Sequence, residues 1–324
     1  MAGAVKRAMR RAPEGNPTSL HETGRAARMA MEKVRVALAE AMGLPANEII
    51  FTGGGTESNN IALQGYRVLR EEWSHSSTKG PQRMDDAIEK KNGDEETVVR
   101  VVDLVNHETG SISREFKRPP NGRLHVDASQ AFLKIDFRSL DLSEVDSMTV
   151  TAHKINGPIG IAALYLRGLK CHKLYSGGSQ EKGIRPGTEN LPAIIGFGAA
   201  LKLDRSHSQH REIEAFVGKE LEALGCELNR RGETSGFIVH ATLPAGYDNT
   251  EVVSLLSTKY RVEIGTGSAC NSGVLNTTVY DTLGKLPEPR RSIRLSWDCY
   301  NTMEEAERVM GAFSKVLAEK KPHR

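Results

Sequence analysis

The chain has 324 residues, enough for two packed domains, and its 38% hydrophobic content suits ordinary cores, which excludes disordered and fibrous classes. A formal net charge of +3 with scattered positives offers no basic block, so neither nucleic acid nor a membrane surface is expected as a partner. The four cysteines, Cys171, Cys226, Cys270 and Cys299, lie far apart without a C-x-x-C pair, which argues against a disulfide framework or a metal site and for a reducing compartment. No apolar run approaches the roughly 20 residues that span a bilayer. Residues 1–11 are basic, lack acids and have no apolar signal core, so they read as a surface helix of a cytoplasmic protein; a mitochondrial presequence is the alternative.

In chain order, Ala26, Ala30, Met31, Val34, Leu38, Ala41 and Met42 recur at helical spacing, and Gly43 stands where a C-terminal cap belongs. Residues 48–52 read as a short buried strand running into Gly53-Gly-Gly-Thr56 and then a helix. Further strands are predicted at 97–105, 123–128, 145–151 and 161–166; with intervening helices they imply an α/β fold with a mainly parallel sheet. The stretch 73–96 is polar and reads as a surface excursion or disordered insert. Ile213, Val217, Leu221 and Leu224 line one face of a later helix, extended segments follow near 236–242 and 260–264, and a last helix opens with the capping box Thr302-x-x-Glu305. The predicted division is a large domain over 15–203 and a smaller one built from 1–14 plus 204–324.

Three clusters carry chemistry. A strand ending in glycines before a helix aims backbone N–H groups and the positive helix end at one point, where a phosphate fits; Gly55 and Thr56 are the candidate donors. Thr151-Ala-His-Lys154 ends a predicted strand and is stopped by Asn156-Gly-Pro158, which puts Lys154 at a carboxyl edge of the sheet, where ligands of open α/β sheets bind. An amine there can bond an aldehyde cofactor, and pyridoxal phosphate also needs an acid for its pyridine nitrogen. Asp127, in His125-Val-Asp-Ala-Ser-Gln130, supplies that acid; a helix cap is the other role open to it. The chain lacks a Gly-x-Ser-x-Gly elbow and a Gly-Lys-Thr after the glycines, which argues against hydrolase and kinase chemistry.

Taken together with Gly15-Asn-Pro-Thr-Ser-Leu-His21, Phe51-Thr-Gly-Gly-Gly-Thr-Glu-Ser-Asn-Asn60, Gly183-Ile-Arg-Pro-Gly-Thr-Glu-Asn190 and Gly267-Ser-Ala-Cys270, the ordered set of motifs resembles the NifS/IscS-like cysteine desulfurases of the class V aminotransferases. The resemblance implies PLP-dependent transferase fold type I, with a mainly parallel large domain and a smaller α+β C-terminal domain, in a homodimer with active sites at the subunit interface. It implies conversion of L-cysteine to L-alanine, with sulfur left as a persulfide on Cys270 and passed to an acceptor such as an iron–sulfur scaffold or a thiolation partner. By position, Lys154 would hold pyridoxal 5'-phosphate, Asp127 its pyridine nitrogen and Gln130 its ring oxygen. Thr56, Thr151 and His153 would hold the phosphate, Thr188 would reach in from the other subunit, and Arg294 would grip the substrate carboxylate. No metal is implied. Cys270 sits in a small, glycine-rich segment that reads as a mobile loop, and the other three cysteines read as structural.

The sequence also departs from the family. His107 stands in Val105-Asn-His-Glu-Thr-Gly110 where the family has an asparagine touching the ring oxygen. The family's Glu-His pair, whose histidine stacks on the cofactor ring, has no match by neighbours: residues 66–98 read as too short for it, and His75 in Trp73-Ser-His-Ser-Ser77 stands in other company. Two alternatives follow, a selenocysteine lyase or other PLP-dependent C–S lyase, and a catalytically impaired pyridoxal phosphate binder.

Overall fold

The computed structural model describes residues 1–70, 74–79, 98–230, 232–266 and 289–320. They form two compact units, the first from Met1–Glu71, His75–Leu104 and Arg114–Leu203, the second from Glu72–Ser74, Val105–Ser113 and Asp204–Arg324.

The first unit opens with helix α1 (Gly3–Arg10) and the long α2 (Glu22–Met42), which Gly43 ends in the left-handed conformation at φ 68°. Strand β1 (Ile49–Thr52) runs into α3 (Gly55–Leu63), followed by the short β2 (Arg67–Leu69), β3 (Val98–Asp103), β4 (Arg123–Asp127), β5 (Ser147–Thr151), β6 (Ala162–Leu166) and α4 (Leu191–Leu201). The sheet order is β1-β6-β5-β4-β3-β2, parallel from β2 to β5, with β6 antiparallel to both β5 and β1. Every residue of β5 and β6 is buried, as expected of strands covered on both faces. The strand β2 went unread in the sequence because it is short and exposed at alternate positions.

Residues 1–14 were expected in the smaller domain, and α1 corrects that: its helix packs on α4 inside the first unit, with Val5 fully buried. A Cβ at Gly196 of α4 would stand 2.7 Å from Met9 Cγ, so the missing side chain is what lets α1 approach. Of the polar stretch 73–96, only 74–79 are described, with a single 3₁₀ turn at Ser76–Lys79; the remainder lies outside the described residues.

A charged clasp borders β1. Arg35 of α2 is buried and donates to Ile49 O and to both carboxylate oxygens of Glu181, while Glu181 Oε2 also accepts the backbone N–H of Phe51. Glu181 lies in the turn that leads to Arg185 and Thr188.

The second unit contains α5 (His210–Ala223), β7 (Glu227–Leu228), β8 (Ile238–Thr242), α6 (Asn249–Tyr260), β9 (Ser292–Ser296) and α7 (Met303–Glu319). Its antiparallel sheet β7-β8-β9 shares a core with the three helices, including Val217, Leu256, Ile293 and Phe313. The capping box at Thr302 and Glu305 forms as predicted. The extended segment predicted near 260–264 does not form a strand: Tyr260 closes α6, Arg261 caps it at φ 54°, and pairing begins with the isolated bridge Gly265↔Arg294.

Candidate active site

The chemistry-bearing residues of the first unit converge at the carboxyl ends of parallel strands, the edge where an open α/β sheet leaves a crevice. Thr149 and Thr151 share one face of β5, beneath the start of α3. A Cβ at Gly55 would sit 2.8 Å from Thr151 Cγ2 and 3.4 Å from Ser129 Oγ, so only glycine brings the helix N-terminus this close to the strand. The hydroxyls Thr149 Oγ1 and Thr151 Oγ1 are buried and have no hydrogen-bond partner among the described residues. Thr56, one residue further along, is exposed.

Beyond Thr151 the chain makes a 3₁₀ turn, Ala152–Ile155, closed by Asn156 in the left-handed conformation. This turn carries His153 and the half-buried Lys154. His153 keeps surface exposure, yet partial desolvation of its ring, then Lys154 and Lys134, push its pKa down to about 4, so the neutral imidazole stands in a positive field. Gln130 accepts from Lys134 Nζ at 3.3 Å.

Asp127 ends β4, buried. Its Oδ1 accepts from the backbone N–H of Ser129 at 2.9 Å and its Oδ2 from Asn59 Nδ2 at 2.8 Å. Burial alone would raise its pKa; the hydrogen bonds from Ser129 and Asn59, aided by His75, outweigh that and hold the carboxyl below the usual range. Asn59 Oδ1 in turn meets His125 Nε2 at 2.9 Å, and His125 Nδ1 meets Ser147 Oγ at 2.8 Å. Burial, opposed by Asp127 and reinforced by Arg123, lowers His125 to about 4.

No neighbours in the sequence mark a stacking histidine, and the structure adds one geometric fact: His75 lies among the charged residues of the first unit. His75 lies where its charge state responds to Asp127, which favours the cation, and to Lys154, which opposes it; burial is the larger effect and lowers its pKa. Its backbone N–H donates to Asp103 Oδ2 at 2.9 Å. In chain order it follows the short strand β2 and lies between α3 and β3. Asn59 and Ser129 also went unread as site residues, although both lie inside motifs already quoted.

Thr188 is exposed on the loop after Gly187, and Arg185 of that loop is tied to the glycine turn through Glu57, which pairs with Arg185 Nε at 2.9 Å and accepts Gly53 N–H at 2.9 Å. The second unit brings together two other predicted residues: Arg294 of β9 donates from Nη1 to His107 O at 3.0 Å, and buried His107 lies 3.6 Å from Glu108 Oε1. Cys270 lies outside the described residues. Cys226 and Cys299 are buried free thiols and Cys171 is half-buried; burial pushes Cys226 up to about 12, which makes it inert. No cluster able to hold a metal occurs among the described residues, and no described helix is long and apolar enough to cross a membrane.

The sequence matches the aminotransferase class-V family over residues 7–75 and 83–309. The chain belongs to that family. Among its class V relatives, a protein named cysteine desulfurase from Trichormus azollae is 30% identical, with 94% of this chain and 86% of the relative covered. The cysteine desulfurase IscS of Dictyoglomus turgidum is 29% identical over 94% of this chain and 87% of its own. The fold is shared with the NifS-like protein of Rickettsia africae at a TM-score of 0.82 and 22% identity, covering 98% of this chain and 96% of that one. The expected family and fold type are therefore in place, and class V membership implies pyridoxal phosphate. The residues fit that group on their own terms: two unpartnered buried hydroxyls under a helix N-terminus suit a phosphate, and a buried anionic Asp127 suits a protonated ring nitrogen.

Proposed function

We propose that this class V protein is a PLP-dependent cysteine desulfurase, and the observation that carries the reading is the grouping of His75, Asp127 and Lys154 into one electrostatically linked set beside the Gly55–Thr151 cradle. Gly55, Thr56, Thr151 and His153 would hold the phosphate, with Thr188 supplied by the other subunit of a homodimer. Lys154 would anchor the aldehyde, Asp127 the pyridine nitrogen, and Gln130 and His107 the ring oxygen. When bound, the cofactor supplies an electron sink for bond changes at the substrate's carbons.

The chain's own residues do the rest. Arg294 grips the carboxylate of L-cysteine, a task suited to a planar two-pronged cation. Lys154 Nζ is the group that would take and return protons, with the His75 ring assisting by hydrogen bonding, work of this kind contributing about 10²- to 10⁴-fold. The Cys270 thiolate attacks the substrate sulfur; the S–S bond forms as the C–S bond breaks, and a proton restores the carbon. L-cysteine and a thiol thus become L-alanine and a persulfide, whose outer sulfur passes to an acceptor protein such as an iron–sulfur scaffold. The free thiols at Cys171, Cys226 and Cys299 suit a reducing compartment such as the cytoplasm.

The test is the visible absorption of the purified chain incubated with pyridoxal phosphate, for wild type and Lys154→Ala, before and after L-cysteine, with alanine measured alongside. The expected result is a band that needs Lys154, changes on adding cysteine, and accompanies alanine formation. A folded chain that acquires no such band would overturn the reading. Cys270→Ser is expected to stop persulfide formation; unchanged sulfide release without reductant would remove Cys270 from its role.

A further inference from the structure

The hydrogen bonds around His75 form a chain whose direction can be derived atom by atom. Asp127 is anionic and can only accept, so the Asn59 atom 2.8 Å from its Oδ2 is the amide nitrogen. The same nitrogen is 2.8 Å from Ser77 Oγ, so its second N–H goes to that hydroxyl. Ser77 Oγ then has its own proton to give, and it lies 2.7 Å from His75 Nδ1. The backbone N–H of Ser77 points at the same nitrogen from 3.2 Å. Nδ1 therefore accepts twice, and the ring proton resides on Nε2. On its other side Asn59 Oδ1 accepts from His125 Nε2–H, whose Nδ1 accepts from Ser147 Oγ–H, so the carboxamide of Asn59 is held from three directions in a fully buried position.

We propose that Asn59 and Ser77 are positioning residues that fix His75 as its Nε2–H tautomer and lock it to Asp127, so that His75 enters the reaction as a neutral hydrogen-bond donor at Nε2. The inference rests on the desulfurase reading for its catalytic consequence, while the hydrogen-bond chain stands on the geometry alone. A single carboxamide spaces the two groups that serve the cofactor ring. Protonating Nδ1 would break both bonds from Ser77, so the neutral donor form is the one the site is built around. Among the described residues, the charged groups that face His75 include Asp103, Asp127 and Lys154, none of which a Ser77 substitution removes.

The experiment uses the full chain labelled with ¹⁵N-histidine, first without pyridoxal phosphate and then loaded. In the unloaded wild type, His75 should show a protonated Nε2 and an unprotonated Nδ1. Ser77→Ala should raise the His75 titration midpoint and admit the other tautomer, and Ser77→Thr, which keeps the hydroxyl, should restore both signals. In the loaded enzyme, Ser77→Ala should lower kcat about tenfold with KM nearly unchanged, the scale of one lost hydrogen bond in the transition state. A wild-type His75 carrying its proton on Nδ1, or a Ser77→Ala chain with neither signal moved, overturns the proposal. The expected spectra in a chain that forms no alanine would support the hydrogen-bond assignment and sink the desulfurase reading instead.

Discussion

Thr149 and Thr151 keep buried hydroxyls without a partner among the described residues, which costs the folded chain on the order of 1–3 kcal/mol each. A ligand that fills those bonds recovers the loss. Thr151→Val should therefore leave the urea midpoint unchanged or higher while weakening pyridoxal phosphate binding about tenfold. Lower stability with unchanged affinity would show that the hydroxyl serves the fold. Lys154, Asp127 and Thr151 were legible in the sequence because each sits in a short window where a strand stops at a turn. The link from His75 to Asp127 was not, because it runs through Asn59 and Ser77, which no local pattern encodes. Asn59 looked like an ordinary helix residue one turn into α3.

Helix α2 shows the same limit at the scale of an element. Its apolar stripe and its glycine cap predicted the helix well, but the spacing of apolar residues passes over Arg35, which lies on the buried face with Val34 and Leu38. Removing one partner of a buried, hydrogen-bonded pair strands the other charge, so Arg35→Met should cost about 3–5 kcal/mol in urea unfolding. Changing Glu181→Leu as well should return part of that loss, since no lone charge then remains buried. Equal losses in single and double variants would show that the backbone bonds to Ile49 and Phe51 matter more than the ion pair. β2 and β9 were missed for a different reason: each is short, and its pairing partner lies far along the chain.

At the scale of the whole molecule, each unit buries a histidine that folding keeps neutral. Burial, with Asp127 opposing and Arg123 assisting, lowers His125 to about 4; burial and then Arg294 lower His240 to about 3. Both folded values lie below the unfolded value of roughly 6.5, so the unfolded chain binds more protons as pH falls. The stability they permit is complete above about pH 6.5 and is lost as pH falls toward those folded values, about 3 kcal/mol for each histidine by pH 4.5. Urea midpoints measured from pH 7 to 4.5 should show the fall, and His240→Gln should flatten it; a flat wild-type profile would mean that the rings are solvated. The division of the chain near Leu203 separates a mixed, mostly parallel sheet from a wholly antiparallel one.

The clasp on β1 has a consequence for how copies of the chain behave in a crowded solution. Among the described strands β1 is the outermost of its sheet, and an edge with free N–H and C=O groups is a template on which another polypeptide can add a strand and begin an aggregate. Arg35 already takes the carbonyl of Ile49, and Glu181 already takes the amide of Phe51. Side chains thereby occupy the ladder positions that a further strand would need. The chain closes its own sheet with charge, and the polymer that an open edge would seed has nowhere to start on this side.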